Sequence, residues 1–239
     1  MALRTSLWAV AERATTIAGT AAVVAIVIVL CARGWRFIQP DNNGEAVKRI
    51  RGTTDLTRHR LQVGKPRIAL VEFSDFECPF CGAYARTTFA QITREFVDTG
   101  QLTYLFRNFP SPGHPNAIFA SKQAECAAEQ NKFWQVHEIL FADLSSRLRP
   151  IVHQSLTIDK TAWDRCIASQ AFSTIRRDLE EGQRLGIKST PTFLLGRIME
   201  DGQTISLRRQ IIGAQSFLLF QQTIEDVLKV NELNVGTTP

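Results

Sequence analysis

The pattern of apolar and polar residues divides most of the chain into short blocks of predicted strand and helix. Residues 68–73 form an apolar run, which is typical of a strand buried on both faces. Residues 85–96 carry apolar side chains at spacings of three and four, the pattern of a helix with one buried face. Residues 102–109 predict a second strand, so the order from residue 68 onward is strand, helix, strand.

The second half of the chain predicts a helical block followed by a hairpin. After a proline-rich break at 110–115, residues 116–185 have the patterning of about four helices. Residues 192–199 and 204–212 are apolar runs that flank an Asp-Gly turn, which is a strong hairpin signal. A final amphipathic helix follows. Neither half has enough strands to be stable alone, so the pattern predicts one α/β domain in which both halves share a sheet.

A long uncharged stretch lies near the N-terminus. The 19 residues at 14–32 contain no charged side chain. As a helix they would reach roughly 28 Å, close to a hydrocarbon core of about 30 Å. We interpret this stretch as an uncleaved signal anchor, a single transmembrane helix. A cleaved signal peptide and a buried core helix are the alternatives; the first is weakened by Leu30, which stands where a small residue is expected before a cut after Ala32.

The anchor sets the expected division of the chain. Residues 1–13 precede it, residues 33–60 are expected to be a juxtamembrane linker, and residues 61–230 to be the folded domain, with a helical insertion at about 112–185. Residues 231–239 are a polar tail. The linker is rich in Lys and Arg, which predicts either a solvated tether or attraction to anionic lipid head groups. Two arginines on each side of the span leave its orientation undecided.

Composition narrows the function classes. Hydrophobic residues make up 44% of the 239 residues, which excludes a disordered chain. The net charge of +5 is too small an excess to indicate a nucleic-acid partner. Five cysteines are too few for a disulfide-rich small scaffold, so the position of each one carries the argument.

Two of these cysteines form a Cys-x-x-Cys motif where the first strand meets the helix. Cys78 is expected at the helix N-terminus, where free N–H groups and the helix dipole favour a thiolate. Cys81 lies one turn later, where its thiol can resolve a mixed disulfide by attacking Cys78. Pro79 suits the first helical position. The alternatives are half of a zinc site, which lacks a second such pair, and an inert pair.

A second motif lies more than a hundred residues downstream. Pro191 stands immediately before a predicted strand. It is either an ordinary trans proline at the start of a strand, or part of a cis Thr190–Pro191 bond that faces the two sulfurs and presents backbone groups to a substrate peptide.

Together the two motifs resemble those of DsbA-type thiol-disulfide oxidoreductases. Val71-Glu72-Phe73-Ser74-Asp75-Phe76-Glu77-Cys78-Pro79-Phe80-Cys81 and Ser189-Thr190-Pro191-Thr192-Phe193 carry the likeness. The resemblance covers about residues 60–230. It implies a thioredoxin-like fold with a helical insertion, a nucleophile at Cys78, a resolving thiol at Cys81 and a cis Pro191.

The same resemblance assigns further roles. It places Glu72 beneath the disulfide, where a buried acid could relay a proton to or from Cys81; a Glu that reaches solvent from an edge strand is the alternative. It also suggests a structural disulfide between Cys126 and Cys166, against the alternative of two buried free thiols.

The sequence departs from the best-known strong oxidants of the family, which carry a histidine between the cysteines. Phe80 stands there and cannot donate to the thiolate, while Asp75 and Glu77 should disfavour negative charge. We therefore expect a less acidic Cys78 and a less oxidising pair than in those relatives. His114 is expected to be a loop or cap residue.

These observations predict a membrane-anchored protein-disulfide oxidoreductase without cofactor or metal. It would lie in the bacterial inner membrane, with its C-terminal domain in the periplasm or another extracytoplasmic space. Its partners would be substrate proteins with thiols or disulfides and a membrane redox protein. Whether it oxidises or reduces its substrates stays open. A thioredoxin-fold binding or chaperone module without turnover and a metal carrier are the competing functions.

Overall fold

The structure is a computed structural model, and it describes residues 46–142, 156–169 and 171–233. The strands are Val47–Arg49 (β1), Thr53–Asp55 (β2), Arg60–Leu61 (β3), Ile68–Ser74 (β4), Leu102–Asn108 (β5), Thr192–Ile198 (β6) and Thr204–Ile212 (β7). The α-helices are Pro79–Thr87 (α1), Phe89–Ile92 (α2), Ala117–Ala128 (α3), Phe133–Ala142 (α4), Lys160–Ser169 (α5), Ala171–Arg184 (α6) and Phe217–Leu233 (α7).

The described strands form one mixed sheet in the order β1-β7-β6-β4-β5-β3, with β2 also paired to β7. β4 lies at its centre, parallel to β5 and antiparallel to β6. All seven residues of β4 are buried. This agrees with the prediction of a strand that is covered on both faces. The two halves of the chain therefore pair through β4 and β6, which confirms the predicted thioredoxin-like α/β fold.

The helix after the Cys-x-x-Cys motif is less regular than predicted. α1 ends at Thr87, α2 follows at Phe89, and Thr93–Val97 continues with π-helical hydrogen bonding. The segment stops before Gly100, which adopts φ 75°, a conformation that favours glycine at a helix end.

The expected linker overlaps the fold. Three short strands, β1, β2 and β3, lie within residues 46–61, and the first two pair antiparallel with β7. The domain therefore begins about fifteen residues before the predicted boundary at 61. Strands of two or three residues are too short to show a hydrophobic period, and backbone hydrogen bonds to an existing sheet edge hold them.

The helical insertion is attached to the sheet by a buried ionic cluster. The Arg107 side chain on β5 is fully buried, with Nη2 2.9 Å from Asp55 Oδ1 and Nε 3.2 Å from Glu181 Oε2. Asp178 of α6 accepts from the backbone N–H of Asn108 at 2.9 Å. Arg58 contacts the same carboxylate at 2.9 Å. The cluster therefore joins the segment before β4, the sheet and α6.

α5 has a side-chain cap at its N-terminus: the Asp159 carboxylate accepts from the N–H groups of Thr161 and Ala162 at 2.8 and 3.1 Å.

No helix within residues 46–142, 156–169 and 171–233 is both long enough and apolar enough to cross a bilayer. The anchor predicted at 14–32, the segment at 1–13 and Cys31 lie outside the described residues, as does most of the tail at 231–239.

Candidate redox site

Cys78 lies at the N-cap of α1, between the carboxyl end of β4 and the first helical residue, Pro79. Its backbone is extended, with φ −71° and ψ 124°, and its N–H donates to the Asp75 carbonyl at 3.1 Å. Cys78 and Cys81 are both buried and both free thiols. The sharp turn out of a central strand thus places two sulfurs at the amino end of a helix, as the motif predicted.

The surroundings of Cys78 stabilise its thiolate. The Cys81 thiol, as a hydrogen-bond donor to the Cys78 sulfur, is the largest influence that lowers the pKa of Cys78, to about 5. Burial opposes the shift, while the Thr190 side chain and the N–H groups of Cys81 and Phe80 add to it. The Phe80 ring is mostly exposed, so residue 80 contributes through its backbone.

Burial and the nearby Cys78 thiolate raise the pKa of Cys81 far above that of a free thiol. At neutral pH one cysteine is therefore charged and the other is protonated. That asymmetry is what a nucleophile and a resolving thiol require.

Thr190 faces Cys78 across the site. The Cys78 sulfur lies 3.5 Å from the Thr190 carbonyl oxygen, to which the thiol donates when it is protonated, and the Thr190–Pro191 peptide bond is cis. The Thr192 hydroxyl donates to the Ser189 carbonyl at 2.7 Å, which fixes the turn on its far side. The two motifs that are distant in sequence thus meet at the Cys78 sulfur.

Glu72 lies under the site on the central strand. Its side chain is buried, and Oε2 accepts from the Tyr104 hydroxyl at 2.5 Å. Burial raises the pKa of Glu72 to about 7, and the charge of Glu72 in turn raises the pKa of Cys81. The alternative of a Glu that reaches solvent from an edge strand is wrong, because β4 pairs on both sides.

His114, expected to be a loop or cap residue, lies at the site in the structure. Its Nδ1 lies 2.6 Å from Asp75 Oδ2, and this contact raises the pKa of His114. The charges of Cys78 and Glu77 act on His114 in the same direction. The only sequence signal was its place in a proline-rich loop, so its proximity to the cysteines could not be read from the chain.

The two acids near Cys78 are engaged by donors. Asp75 is buried and accepts from the N–H groups of Glu77 and Ser111 at 2.7 and 2.8 Å. The Glu77 carboxylate accepts from the N–H and side-chain amide of Asn116 at 2.7 and 3.1 Å. The expectation that Asp75 and Glu77 would disfavour a thiolate did not take these hydrogen-bond donors into account. That Cys78 is less acidic than in relatives with a histidine stays a prediction.

Cys126 of α3 and Cys166 of α5 form a disulfide, with their Cα atoms 5.6 Å apart. The two residues are therefore unavailable as ligands with Cys78 and Cys81, which removes the main candidates for a four-cysteine zinc site. His137 is buried among aromatic rings, where burial lowers its pKa to about 3, so it belongs to the core.

Comparison with known proteins agrees with this fold. The family model described as thioredoxin matches residues 62–213. The Na(+)/H(+) antiporter NhaA 1 of Mycobacterium sp. (strain KMS) is 34% identical over 135 residues, which cover 54% of this chain and 22% of the antiporter. The chain thus spans about a fifth of the length of such curated relatives.

Two further proteins resemble the chain. Disulfide bond formation protein D of Bacillus subtilis is 27% identical over 137 residues, covering 53% of this chain and 62% of that protein. The crystal structure of alpha-DsbA1 from Wolbachia pipientis superposes with a TM-score of 0.59 at 20% identity, over 76% of this chain and 94% of that one. These likenesses confirm the resemblance to DsbA-type proteins.

Proposed function

This chain belongs to the thioredoxin family, and on that premise we propose that it is a protein-disulfide oxidoreductase that works through Cys78 and Cys81. The observation that carries the proposal is the position of Cys78, at the start of α1 and 3.5 Å from the Thr190 carbonyl. A substrate peptide laid along residues 190–191 would present its sulfur to that nucleophile.

In the reducing direction the Cys78 thiolate attacks one sulfur of a substrate disulfide. The substrate S–S bond breaks, its other sulfur leaves as a thiolate that takes up a proton, and a mixed disulfide forms. Cys81 then gives its proton to the Glu72 carboxylate and attacks the Cys78 sulfur. The second substrate thiolate leaves, and two electrons have passed from the cysteine pair to the substrate.

We propose that the chain runs this cycle in reverse, as a donor of disulfides. A Cys78 pKa of about 5 means that the reduced pair is stabilised as a thiolate at neutral pH. Stabilising the reduced form makes the disulfide a stronger oxidant. The likeness to a protein named for disulfide bond formation supports the same direction.

We further propose a membrane-anchored protein whose C-terminal domain lies outside the bacterial cytoplasm. The uncharged stretch at 14–32 supports the anchor, and the Cys126–Cys166 disulfide supports an oxidising compartment. A membrane redox partner would then reoxidise the cysteine pair. Protease added to spheroplasts should digest the domain, and full protection until lysis would contradict this placement.

The reduction potential of the Cys78–Cys81 pair tests the proposed activity. The full chain in neutral detergent is equilibrated with graded glutathione buffers, and alkylation followed by mass spectrometry separates this pair from Cys126–Cys166. We expect a potential above about −200 mV, on the side of disulfide donors. A potential below about −270 mV would indicate a reductase. A pair that does not titrate would remove the redox function, and Cys78→Ser provides the control.

A further inference from the structure

A groove rich in arginine lies at the edge of the sheet where the described chain begins. It has a volume of about 430 Å³ and runs between the turn after β1, the strand β7 and one side of α7. The arginines that line it, called here the arginine groove, are Arg49, Arg51, Arg197, Arg208 and Arg209. Asp226 of α7 is the one acid among its described lining residues.

The arginines of the groove differ from several other arginines of the fold in their ion pairing. Arg58 and Arg107 both pair with the buried carboxylate of Asp178, and Arg184 pairs with Glu181. Within the part of the chain that the structure describes, no arginine of the groove has a carboxylate oxygen within 4.0 Å. Their positive charge is therefore not balanced by ion pairs inside the described fold.

The strand register concentrates this charge. Arg49 of β1 lies directly opposite Arg209 of β7 in the antiparallel pair. Like charges at directly opposed positions destabilise a sheet. An anion bound between the two guanidinium groups would convert this repulsion into attraction.

Arginine also determines which anion the groove suits. A guanidinium presents a planar fork of N–H donors that matches phosphate oxygens bidentately, whereas a lysine offers only a point charge. We propose that the arginine groove binds phosphate-bearing anions, with Arg49 and Arg209 as its central pair. This site is separate from the cysteine pair and does not depend on the proposed redox function.

Two sources could supply the phosphate. β1 begins 15 residues after residue 32, the end of the predicted anchor, so phospholipid head groups are one source. Soluble phosphate esters are the other. The recognition chemistry is the same for both, and the test separates them.

The test is isothermal titration calorimetry of the full chain in micelles of a neutral detergent. One arm titrates sodium pyrophosphate, and the other titrates mixed micelles that contain phosphatidylglycerol or phosphatidylcholine. We expect saturable binding of pyrophosphate, of phosphatidylglycerol, or of both, without binding of phosphatidylcholine. Binding of pyrophosphate alone would identify soluble esters, and binding of phosphatidylglycerol alone would identify lipid head groups.

Matched variants decide whether the groove is responsible. Arg49→Gln with Arg209→Gln should weaken binding at least tenfold. Arg94→Gln with Arg176→Gln removes the same net charge from exposed positions elsewhere and should change the affinity less than twofold. Arg51→Gln with Arg208→Gln is a second groove variant if the first does not fold. Equal weakening by the groove and control variants, or no saturable binding in either arm, would overturn the proposal.

Discussion

His114 Nδ1 lies 2.6 Å from Oδ2 of Asp75, the residue whose carbonyl accepts the Cys78 N–H. This contact ties the proline-rich loop after β5 to the turn that carries Cys78. Because the Cys78 charge raises the pKa of His114, a protonated His114 must favour the Cys78 thiolate to the same extent. A histidine from a distant loop thus acts on the sulfur although residue 80 is a phenylalanine.

The first prediction concerns that histidine. His114→Gln should raise the pKa of Cys78, since the thiolate loses a favourable positive charge. Exposed charge pairs contribute about 0.2–1 kcal/mol, so the ratio of thiolate to thiol near the midpoint should fall by about 1.5- to 5-fold. Thiolate absorbance at 240 nm, titrated against pH, measures the change. A midpoint unchanged from wild type would show that His114 only orders the loop.

The second prediction concerns Glu72 in the resolving step. Glu72→Gln removes the base that accepts the Cys81 proton, so release of the mixed disulfide should slow by about 10²-fold. In wild type the rate should rise through a pH near 7, where Glu72 ionises, and the variant should lose that inflection. Single-turnover decay of a mixed disulfide with a fluorescent peptide measures both effects. The formation step should be unaffected, and a variant with wild-type release would remove the role.

Glu72 also links stability to pH. Burial raises its pKa from an ordinary 4.5 to about 7, so the folded state binds its proton more tightly than the unfolded state does. The unfolded state therefore loses this proton first as pH rises, and stability falls between pH 4.5 and 7. The loss amounts to about 3 kcal/mol. The free energy of unfolding, measured with urea at several pH values, should not show this decrease in Glu72→Gln. Parallel pH profiles for the two proteins would contradict the assignment.

The third prediction separates the two cysteine pairs. Cys126→Ala with Cys166→Ala opens a loop closed over 40 residues, and chain entropy suggests a loss of about 4 kcal/mol at most. The reduction potential of the Cys78–Cys81 pair should stay close to wild type, because the second disulfide joins two helices of the insertion. A large change in that potential would show that the insertion sets the chemistry of the site.

The fourth prediction tests the ionic cluster beneath the insertion. Arg107→Met leaves Glu181 and buried Asp178 without the guanidinium, and removing one partner of a buried pair costs about 3–5 kcal/mol. Arg94→Gln is the matched control, because its partner Glu95 and Arg94 itself are exposed, and it should cost less than about 1 kcal/mol. Equal unfolding free energies for the two variants would show that the cluster contributes little.

Local sequence patterns were enough to place the core of the site. β4 is mostly apolar, with Glu72 inside it, and Pro79 can occupy a helix start, so the position of Cys78 followed from adjacent residues. The Asp-Gly turn predicted the β6–β7 hairpin for the same reason. Pairing of Cys126 with Cys166 was implied by the family resemblance rather than by either residue's surroundings.

Contacts between distant residues were not predictable in this way. The strands at residues 46–61 are too short to show a period. β1 and β2 exist because β7 offers them backbone partners, and β3 exists because β5 does. His114 lies 36 residues after Cys78 along the chain. Hydrogen bonds of Asp75 to the loop bring the His114 ring into the site.

By itself, therefore, the sequence determined the main elements from β4 onward and the two redox motifs, since both depend on interactions between near neighbours in the chain. Tertiary structure decided the charge state of each group in the site. The pKa of Glu72 depends on being buried in a central strand, and that of Cys78 on donors from Cys81 and Thr190. The arginine groove has the same origin, because residues from both ends of the domain become neighbours only when β1 pairs with β7. Electrostatic effects act through space over a few ångströms, and only the folded chain sets those distances.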